Sequence, residues 1–470
     1  MSEELAFASV DRLRDLIAAG EVAIAEVVEG CLARIDRLDP RCRAVVGMRA
    51  ESALAEARAA DRAPVAERGP LHGVPFTVKD VTETLDLPTT WGSRAYVGHM
   101  TGFEAVAVSH LRAAGAILIG KTSTPELACE PVARSELFGE ALNPWDPART
   151  PGGSSGGAAA GLAAGLFPLA QGTDAGGSIR IPASCCGVVG IKPTRGRVSF
   201  APSSREPWGG VLHSGPLART VRDTAAMLDV MAGPGVGDFS ALLAPGGMRA
   251  ACDRPPGRPR VAFTASVPGG ELDAEVAGAF ADALDVLRAL GLEPVEAAPD
   301  VSALPGLFAV IIEATFAGLA APLSERQLEV VDVTSRQLIT RGRQISAEAY
   351  LAAVDAAYRE SVRILRFWDD HDVLVTPTVP WVPPRRDQLP ATEDYEAKWA
   401  QYGIWEAFTS PWNVTGQPAL SVPCRLWSGE RVPIGLQFVG RYGAEAELIS
   451  LAAAYEAVAP WADHRPPGFE

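Results

Sequence analysis

Patterns typical of nucleic-acid-binding or membrane-spanning proteins are missing from this sequence. The 470 residues include 42 Lys and Arg against 57 Asp and Glu, which gives a formal net charge of −15 at pH 7. So acidic a chain disfavours nucleic acids and anionic membrane surfaces as partners, because both carry negative charge. A long uncharged stretch, 150–173, is interrupted by Gly, Ser and Pro, so it does not predict a membrane-spanning helix.

Cysteine and histidine patterns of metal sites are also missing. The seven cysteines are scattered, and they form no CxxC pair and no Cys/His spacing of a zinc site. An odd number of isolated cysteines favours buried thiols in a reducing compartment over a disulfide framework. The N-terminus has no basic start followed by an apolar core, as a secretory signal peptide would have. We therefore expect a cytoplasmic protein with no metal and no cofactor.

Hydrophobic segments along the chain alternate between strand and helix patterns. Strands are predicted at 74–78, 117–119, 167–170, 188–191, 261–265, 373–376, 419–422 and 434–439. Helices are predicted at 10–19, 25–38, 50–62, 105–114, 158–164, 273–290 and 444–457. The alternation predicts an α/β fold with a central mixed β-sheet covered by helices on both faces. We expect one large domain over 1–470, with 1–68 as an N-terminal helical layer.

Two glycine-rich segments each contain a serine that is suited to acyl transfer. The first is GGSSGG at 152–157, with Ser154, and the second is GTDAGGSIR at 172–180, with Ser178. Gly176 and Gly177 offer unobstructed backbone N–H groups next to Ser178, as an oxyanion hole requires. Lys79 follows the apolar run at 74–78, where burial would favour the neutral amine. Together these groups predict an acyl-transfer site that needs no histidine.

Other interpretations of the glycine-rich segments fit the sequence less well. A phosphate-binding loop would end in Gly-Lys-Ser/Thr, and the segment 152–157 has no lysine. The same segment matches the GxSxG pattern of a nucleophile elbow, but the proline-rich residues 143–151 before it cannot form a central strand. The histidines that follow have no compelling context; they are His213, His371 and His464. For each segment alone, tight turns and close packing explain the glycines equally well.

Taken together, these segments resemble the amidase signature family. The similarity includes LHGVPFTVKD at 71–80, GGSSGG at 152–157, residues 172–182 and CGVVGIKPT at 186–194. Its core covers 70–200, and weaker similarities extend it over nearly the whole chain. Among the weaker ones are PWNVTGQPA at 411–419 and GLQ at 435–437.

The resemblance implies a role for each matching residue. Ser178 matches the family's nucleophile, Ser154 its bridging serine beside a cis peptide, and Lys79 its base. The backbone N–H groups that match the oxyanion hole belong to Ala175, Gly176, Gly177 and Ser178. Many relatives carry threonine in place of Ala175, a departure that leaves the backbone donor intact.

Four further residues surround these positions and are expected to support them. Ser155 and Thr173 fall where the family places supporting hydrogen bonds. Asp174 and Arg180 flank Ser178, and we expect them to pair and fix the turn, which is a structural role. No metal ligand is implied.

The implied activity is hydrolysis of a carboxylic amide through an acyl-enzyme on Ser178. Aryl amides, nylon-type oligoamides, esters and carbamates are all left open as substrates. KTSTPE at 121–126 resembles the branch of small-molecule amidases. The alternative is the catalytic amidase subunit of a glutamine-dependent tRNA amidotransferase, which needs partner subunits. A binding protein that has kept the fold is disfavoured because Lys79, Ser154 and Ser178 are all present.

Aromatic residues concentrated late in the chain suggest where a substrate binds. We expect 380–412 to contribute to the pocket, and Tyr395, Trp399 and Tyr402 have the spacing of one helix face. An ordinary packed helix explains that spacing equally well. Trp208 is a further candidate for the wall. The expected partner is a small apolar or aryl amide, and the oligomeric state is left open, with a homodimer as one option.

Overall fold

The computed structural model describes residues 3–204, 207–390, 394–425, 427–429 and 431–469. Its helices are α1 Glu3–Ala6, α2 Val10–Ala19, α3 Ile24–Leu38, α4 Ala50–Asp61, α5 Val106–Ala113, α6 Gly156–Ala163, α7 Arg180–Cys186, α8 Val221–Met231, α9 Met248–Ala251, α10 Ala274–Ala289, α11 Leu304–Ala320, α12 Glu325–Glu329, α13 Val333–Gly342, α14 Ala347–Leu365, α15 Phe367–Asp370, α16 Tyr395–Trp405, α17 Pro411–Thr415 and α18 Glu445–Val458. Its strands are β1 Val45–Met48, β2 Pro75–Lys79, β3 Ile117–Thr122, β4 Arg134–Ser135, β5 Gly139–Glu140, β6 Leu169–Asp174, β7 Val189–Lys192, β8 His213–Ala218, β9 Val261–Phe263, β10 Val295–Glu296, β11 Val373–Pro377, β12 Ala419–Pro423 and β13 Gly435–Gly440.

Eleven strands form one mixed sheet in the order β1-β3-β2-β6-β8-β7-β12-β13-β11-β9-β10, and β4 pairs with β5 separately. The neighbours β3-β2-β6 run parallel, as do β11-β9-β10, and the other neighbours run antiparallel. Parallel neighbours need a crossover, and helices between the strands provide it. The predicted single α/β domain with a mixed central sheet is confirmed.

Helices cover both faces of this sheet because its strands are apolar on both sides. In β3, Leu118 packs into the layer that contains α5, α8, α10 and α18, whereas Ile117 and Ile119 pack against α3, α4 and α6. The same alternation occurs in β13, where Phe438 faces the first layer and Val439 faces α11, α13 and α14. A sheet buried on both faces produces the near-continuous hydrophobic runs seen in the sequence.

The eight predicted strands correspond to β2, β3, β6, β7, β9, β11, β12 and β13. The central strand β8 was not predicted, because Gly215 and Pro216 lie within it and both residues are rare inside strands. The helices between 304 and 365 were also not predicted. The same is true of the edge strand β1, which lies within the expected helical layer 1–68. All seven cysteines are free thiols, and six of them are buried. No helix within the described ranges is both long and apolar enough to cross a membrane.

The sheet brings the two predicted site segments together at the carboxyl ends of β2 and β6. These strands are parallel neighbours, with Val78 of β2 paired with Gln171 of β6. Lys79, the last residue of β2, therefore lies beside Thr173 near the end of β6. The segment with Ser154 leads directly into α6, which packs against both strands.

Helix packing next to the site gives the first prediction. Gly342 of α13 lies against α11 so closely that a Cβ there would be 1.8 Å from Glu313 O. We expect Gly342→Ala to lower the free energy of unfolding by about 1–3 kcal/mol, since overpacking forces the helices apart. Gly278 of α10 is the matched control because a Cβ there meets nothing within 4 Å.

Gly278→Ala should raise the same free energy by up to about 1 kcal/mol through helix propensity alone. Urea unfolding followed by tryptophan fluorescence measures both changes. Equal effects of the two substitutions would contradict the packing argument.

Candidate active site

Lys79 is completely buried at the end of β2, where two hydroxyl groups surround its amine. Its Nζ donates hydrogen bonds to Ser154 Oγ at 2.6 Å and to Thr173 Oγ1 at 2.9 Å. Burial lowers the pKa of Lys79 to about 7, and the Asp174 carboxylate opposes that shift. The amine is therefore poised to exchange a proton near neutral pH, as a general base must.

Ser154 and Ser155 lie in a tight turn before α6. The Gly153–Ser154 peptide bond is cis, and a Cβ on Gly153 would lie 2.5 Å from the backbone of Val132. Ser155 Oγ donates to Thr173 O at 3.1 Å and accepts from Thr173 N at 3.3 Å. Ser155 N also donates to Ser178 O at 3.1 Å. These bonds tie the two glycine-rich segments together.

The loop 175–178 connects β6 to α7 and leaves several backbone donors unused. Among the described residues, none accepts a hydrogen bond from the N–H groups of Gly176, Gly177 or Ser178. Gly177 has φ 142°, and a Cβ there would lie 2.4 Å from Thr409 Oγ1, so only glycine fits. Ser178 is half-buried, and the neighbouring Ala175 is buried. Unused N–H groups beside an accessible hydroxyl can bind an oxyanion.

Asp174 and Arg180 pair at the base of this loop, as expected, and both are fully buried. Arg180 donates to both Asp174 oxygens, at 2.8 and 3.0 Å. Asp174 Oδ2 also accepts from Ile179 N at 3.1 Å, which closes the turn around Ser178. Burial alone would raise the pKa of Asp174, but the guanidinium charge holds that pKa well below its usual range.

Three polar residues from the last quarter of the described chain form hydrogen bonds with Arg180 or with the loop 175–178. They were not predicted as site residues. Arg180 donates to Asn413 Oδ1 at 2.6 Å and to Gln437 Oε1 at 2.8 Å. Thr409 Oγ1 donates to Gly176 O at 2.6 Å. Asn413 and Gln437 lie in the weaker family motifs 411–419 and 435–437. A polar residue within these largely apolar motifs was the signal in the sequence that could have identified them.

A cavity of about 1000 Å³ reaches Thr173, whose hydroxyl accepts a hydrogen bond from the buried Lys79 amine. Six aromatic residues line it: Trp91, Tyr96, Phe103, Phe200, Trp208 and Tyr350. Gln171 and Ser214 add polar groups beside Thr173, and the described lining residues include no Lys or Arg. Such a cavity is suited to an uncharged or cationic apolar molecule.

The predicted pocket segment 380–412 contacts the site, but its aromatic residues pack elsewhere. Tyr402 and Trp405 of α16 are buried against Val132 and Ile181, and Tyr395 Oη donates to Glu313 Oε1 at 2.6 Å. No described aromatic residue of this segment lines the large cavity, whereas Trp208 does. Residues 391–393 lie outside the described part of the chain. The segment reaches the loop 175–178 through Thr409 instead.

Comparison with known proteins places the chain in a family. The amidase family model matches residues 26–449. The 6-aminohexanoate-cyclic-dimer hydrolase of Paenarthrobacter ureafaciens is 36% identical, over 96% of this chain and 95% of that protein. A glutamyl-tRNA(Gln) amidotransferase subunit of Chloroflexus aggregans (strain MD-66 / DSM 9485) is also 36% identical, over 98% and 99%.

A solved structure of 6-aminohexanoate cyclic dimer hydrolase complexed with substrate superposes with a TM-score of 0.91 at 34% identity, over 99% of this chain and 100% of that chain. The chain therefore belongs to the amidase signature family. It is a hydrolase that acts on carbon–nitrogen bonds of amides.

The buried ion pair gives the second prediction. Arg180→Met leaves the Asp174 carboxylate buried without its cation, so we expect the free energy of unfolding to fall by about 3–5 kcal/mol. Arg58 is the matched control, because it pairs with Glu29 at 3.5 Å on the surface. Arg58→Met should change that free energy by less than about 1 kcal/mol. Urea unfolding of both variants tests this, and a loss below about 1 kcal/mol in Arg180→Met would refute it.

Proposed function

We propose that this amidase works through an acyl-enzyme on Ser178, with Ser154 as proton relay and Lys79 as base. The observation that carries the proposal is the 2.6 Å hydrogen bond between a fully buried lysine and Ser154. A serine hydroxyl is a weak nucleophile and needs a nearby base. Lys79 can act as that base only when it is neutral, and its pKa of about 7 makes the neutral form available.

The proposed reaction begins with attack of Ser178 Oγ on the carbonyl carbon of the amide. The Ser178 proton passes to Ser154 while the Ser154 proton passes to Lys79, which becomes charged. The unused N–H groups of Gly176, Gly177 and Ser178 stabilise the resulting oxyanion, with Ala175 as the fourth donor. When the carbon–nitrogen bond breaks, Lys79 returns a proton through Ser154 to the departing amine. Water then repeats the sequence and releases the carboxylic acid.

Ser155, Thr173, Asp174 and Arg180 support this arrangement without exchanging protons. Ser155 holds Thr173, and Thr173 in turn accepts a hydrogen bond from Lys79. Asp174 and Arg180 fix the turn that presents the backbone donors. A displacement of about 1 Å in these donors would weaken stabilisation of the oxyanion, because hydrogen bonds depend steeply on distance and angle.

The proposed substrate is a small amide with an apolar or aryl group. The aromatic lining of the cavity and the lack of Lys or Arg among its described residues support this choice. The relative that acts on a cyclic dimer of 6-aminohexanoate supports neutral oligoamides as one class. Similarity to the amidotransferase subunit keeps glutamine as the alternative substrate.

Replacement of Ser178 gives the third prediction. Ser178→Ala should abolish amide hydrolysis while the protein stays folded, because Ser178 has the half-buried hydroxyl beside the unused N–H groups, whereas the Thr409 hydroxyl there is buried and donates to Gly176 O. The measurement is a set of steady-state rates for aliphatic, aryl and cyclic amides, anilides, esters, carbamates and glutamine. As a control for folding, the variant should have the same circular dichroism spectrum and melting temperature as wild type. Full activity of Ser178→Ala would exclude Ser178 as the nucleophile.

The same substrate panel separates the two candidate functions. The isolated chain should hydrolyse simple amides or anilides faster than glutamine. Hydrolysis confined to glutamine, or activity that appears only with partner subunits, would favour the amidotransferase alternative. A fluorophosphonate that labels wild type but not Ser178→Ala would show that the serine is reactive in either case.

The lowered pKa of Lys79 gives the fourth prediction. Since the neutral amine is required, kcat/KM should rise with pH up to about 7 and then level off. Lys79→Arg should lose activity by about 10²–10⁴-fold, because arginine stays protonated and cannot accept the proton. Lys121 is the control, since it is also buried but donates to Thr82 O and Thr89 Oγ1 instead.

Whatever activity Lys121→Arg retains should show the same rise of kcat/KM with pH, up to about pH 7. Initial rates from about pH 5 to 10 measure the profile for each variant. Wild-type rates in Lys79→Arg, or a shifted profile in Lys121→Arg alone, would contradict the assignment of Lys79 as base.

A further inference from the structure

Among the described residues that line the large cavity, Glu83 has the one carboxylate, and the others are uncharged apart from His99. Glu83 follows Lys79 by four residues, in the loop after β2 that lines the cavity. Apart from the tyrosines, His99 is the other described lining residue with an ionisable side chain, and it is exposed. A carboxylate placed in an apolar wall is costly, so it calls for a specific counterpart.

Glu83 forms no ion pair in the described part of the chain, and its carboxylate accepts hydrogen bonds from the Ser203 hydroxyl and from its own backbone N–H. Its backbone carbonyl accepts from Ala105 N at 3.1 Å, so the chain position is fixed independently of the carboxylate. Burial raises the pKa of Glu83, and the nearby Ser203 hydroxyl and the Lys121 ammonium oppose that rise. The side chain is half-buried and faces a cavity that reaches the site.

Lys121 does not satisfy this carboxylate directly. Its Nζ donates at 2.6 Å to Thr82 O and at 2.7 Å to Thr89 Oγ1, so its hydrogen bonds go to other groups. Lys121 is also fully buried behind the wall, and burial lowers its pKa to about 8. The Ser203 hydroxyl and the Glu83 N–H use two of the about four acceptor positions of the carboxylate, so a cation that enters the cavity meets unused hydrogen-bonding capacity.

We infer that Glu83 forms a subsite for a primary ammonium group at the far end of the acyl chain of the substrate. The inference rests on the proposed acyl-enzyme, because the acyl chain stays bound to Ser178 after the first amine has left. The aromatic walls hold the methylene chain, and Glu83 with Ser203 receives the ammonium as charge-assisted hydrogen-bond acceptors. Opening of a cyclic amide produces such a chain, since the released amine remains tethered to the acyl group.

Two isosteric substrates test this subsite. 6-Aminohexanoyl 4-nitroanilide and heptanoyl 4-nitroanilide differ only in the terminal ammonium or methyl group. Wild type should prefer the amino substrate. Glu83→Gln should lower the ratio of kcat/KM for the amino over the methyl substrate by about tenfold or more, as expected for a hydrogen bond to a charged group.

The exposed Glu67 supplies the matched control, because it carries the same charge and does not line the cavity. Glu67→Gln should leave the substrate ratio unchanged. An unchanged ratio in Glu83→Gln would overturn the inference, as would a wild-type enzyme that does not prefer the amino substrate. Failure of the proposed function looks different, because neither anilide would then be hydrolysed in a Ser178-dependent way.

A measurement on wild type alone covers the case in which Glu83→Gln does not fold. Hexylammonium and hexanol have the same chain length and differ in charge, so they are compared as inhibitors of heptanoyl anilide hydrolysis. The inference requires tighter inhibition by hexylammonium, weakened by salt as screening increases. Equal inhibition by the two compounds would overturn it.

Discussion

The buried ion pair between Asp174 and Arg180 is the interaction on which the site geometry depends. It closes the turn at the end of β6, and Arg180 extends it to Asn413 and Gln437 in the last quarter of the chain. A guanidinium is suited to this task, because its planar fork can donate to several acceptors at once. The pair is stable in the interior only because every charge has a partner. The same network therefore joins the loop 175–178 to α17 and to β13.

Burial has opposite consequences for the two charged groups at the end of the parallel strands. Asp174 is buried with a guanidinium, so its carboxylate stays ionised. Lys79 is buried with two neutral hydroxyls, so its amine loses much of its preference for the charged form. Both lie at carboxyl ends of adjacent strands, and only their partners differ. Neighbouring positions at one end of the sheet thus hold a fixed charge and a titratable base, because the partners of each group decide how burial changes its pKa.

Sequence alone predicts those parts of this fold and site that are local in the chain. Apolar runs predicted strands such as β3, whereas β8 was missed since Pro216 interrupts its pattern. The glycine-rich segments and their serines were found because each motif is contiguous. Asn413 was missed because its contact with Arg180 links residues far apart in the chain. Such contacts depend on how the strands are ordered, and spacing in the sequence does not contain that order.

The aromatic residues late in the chain show the same limit of prediction from sequence for the residues that line the cavity. Their helical spacing predicted one apolar face of α16, but that face is satisfied equally by a core or by a cavity wall. The structure buries Tyr402 and Trp405 in the core, while described residues of 81–107, 199–204 and 207–214, with Trp208 among them, line much of the large cavity. Most of these lining residues lie in loops or helices outside β2, β6 and α6, whereas Gln171 and Thr173 of β6 line the cavity beside the buried Lys79. The aromatic part of the cavity wall can therefore change without displacing Lys79, Ser154 or Ser178.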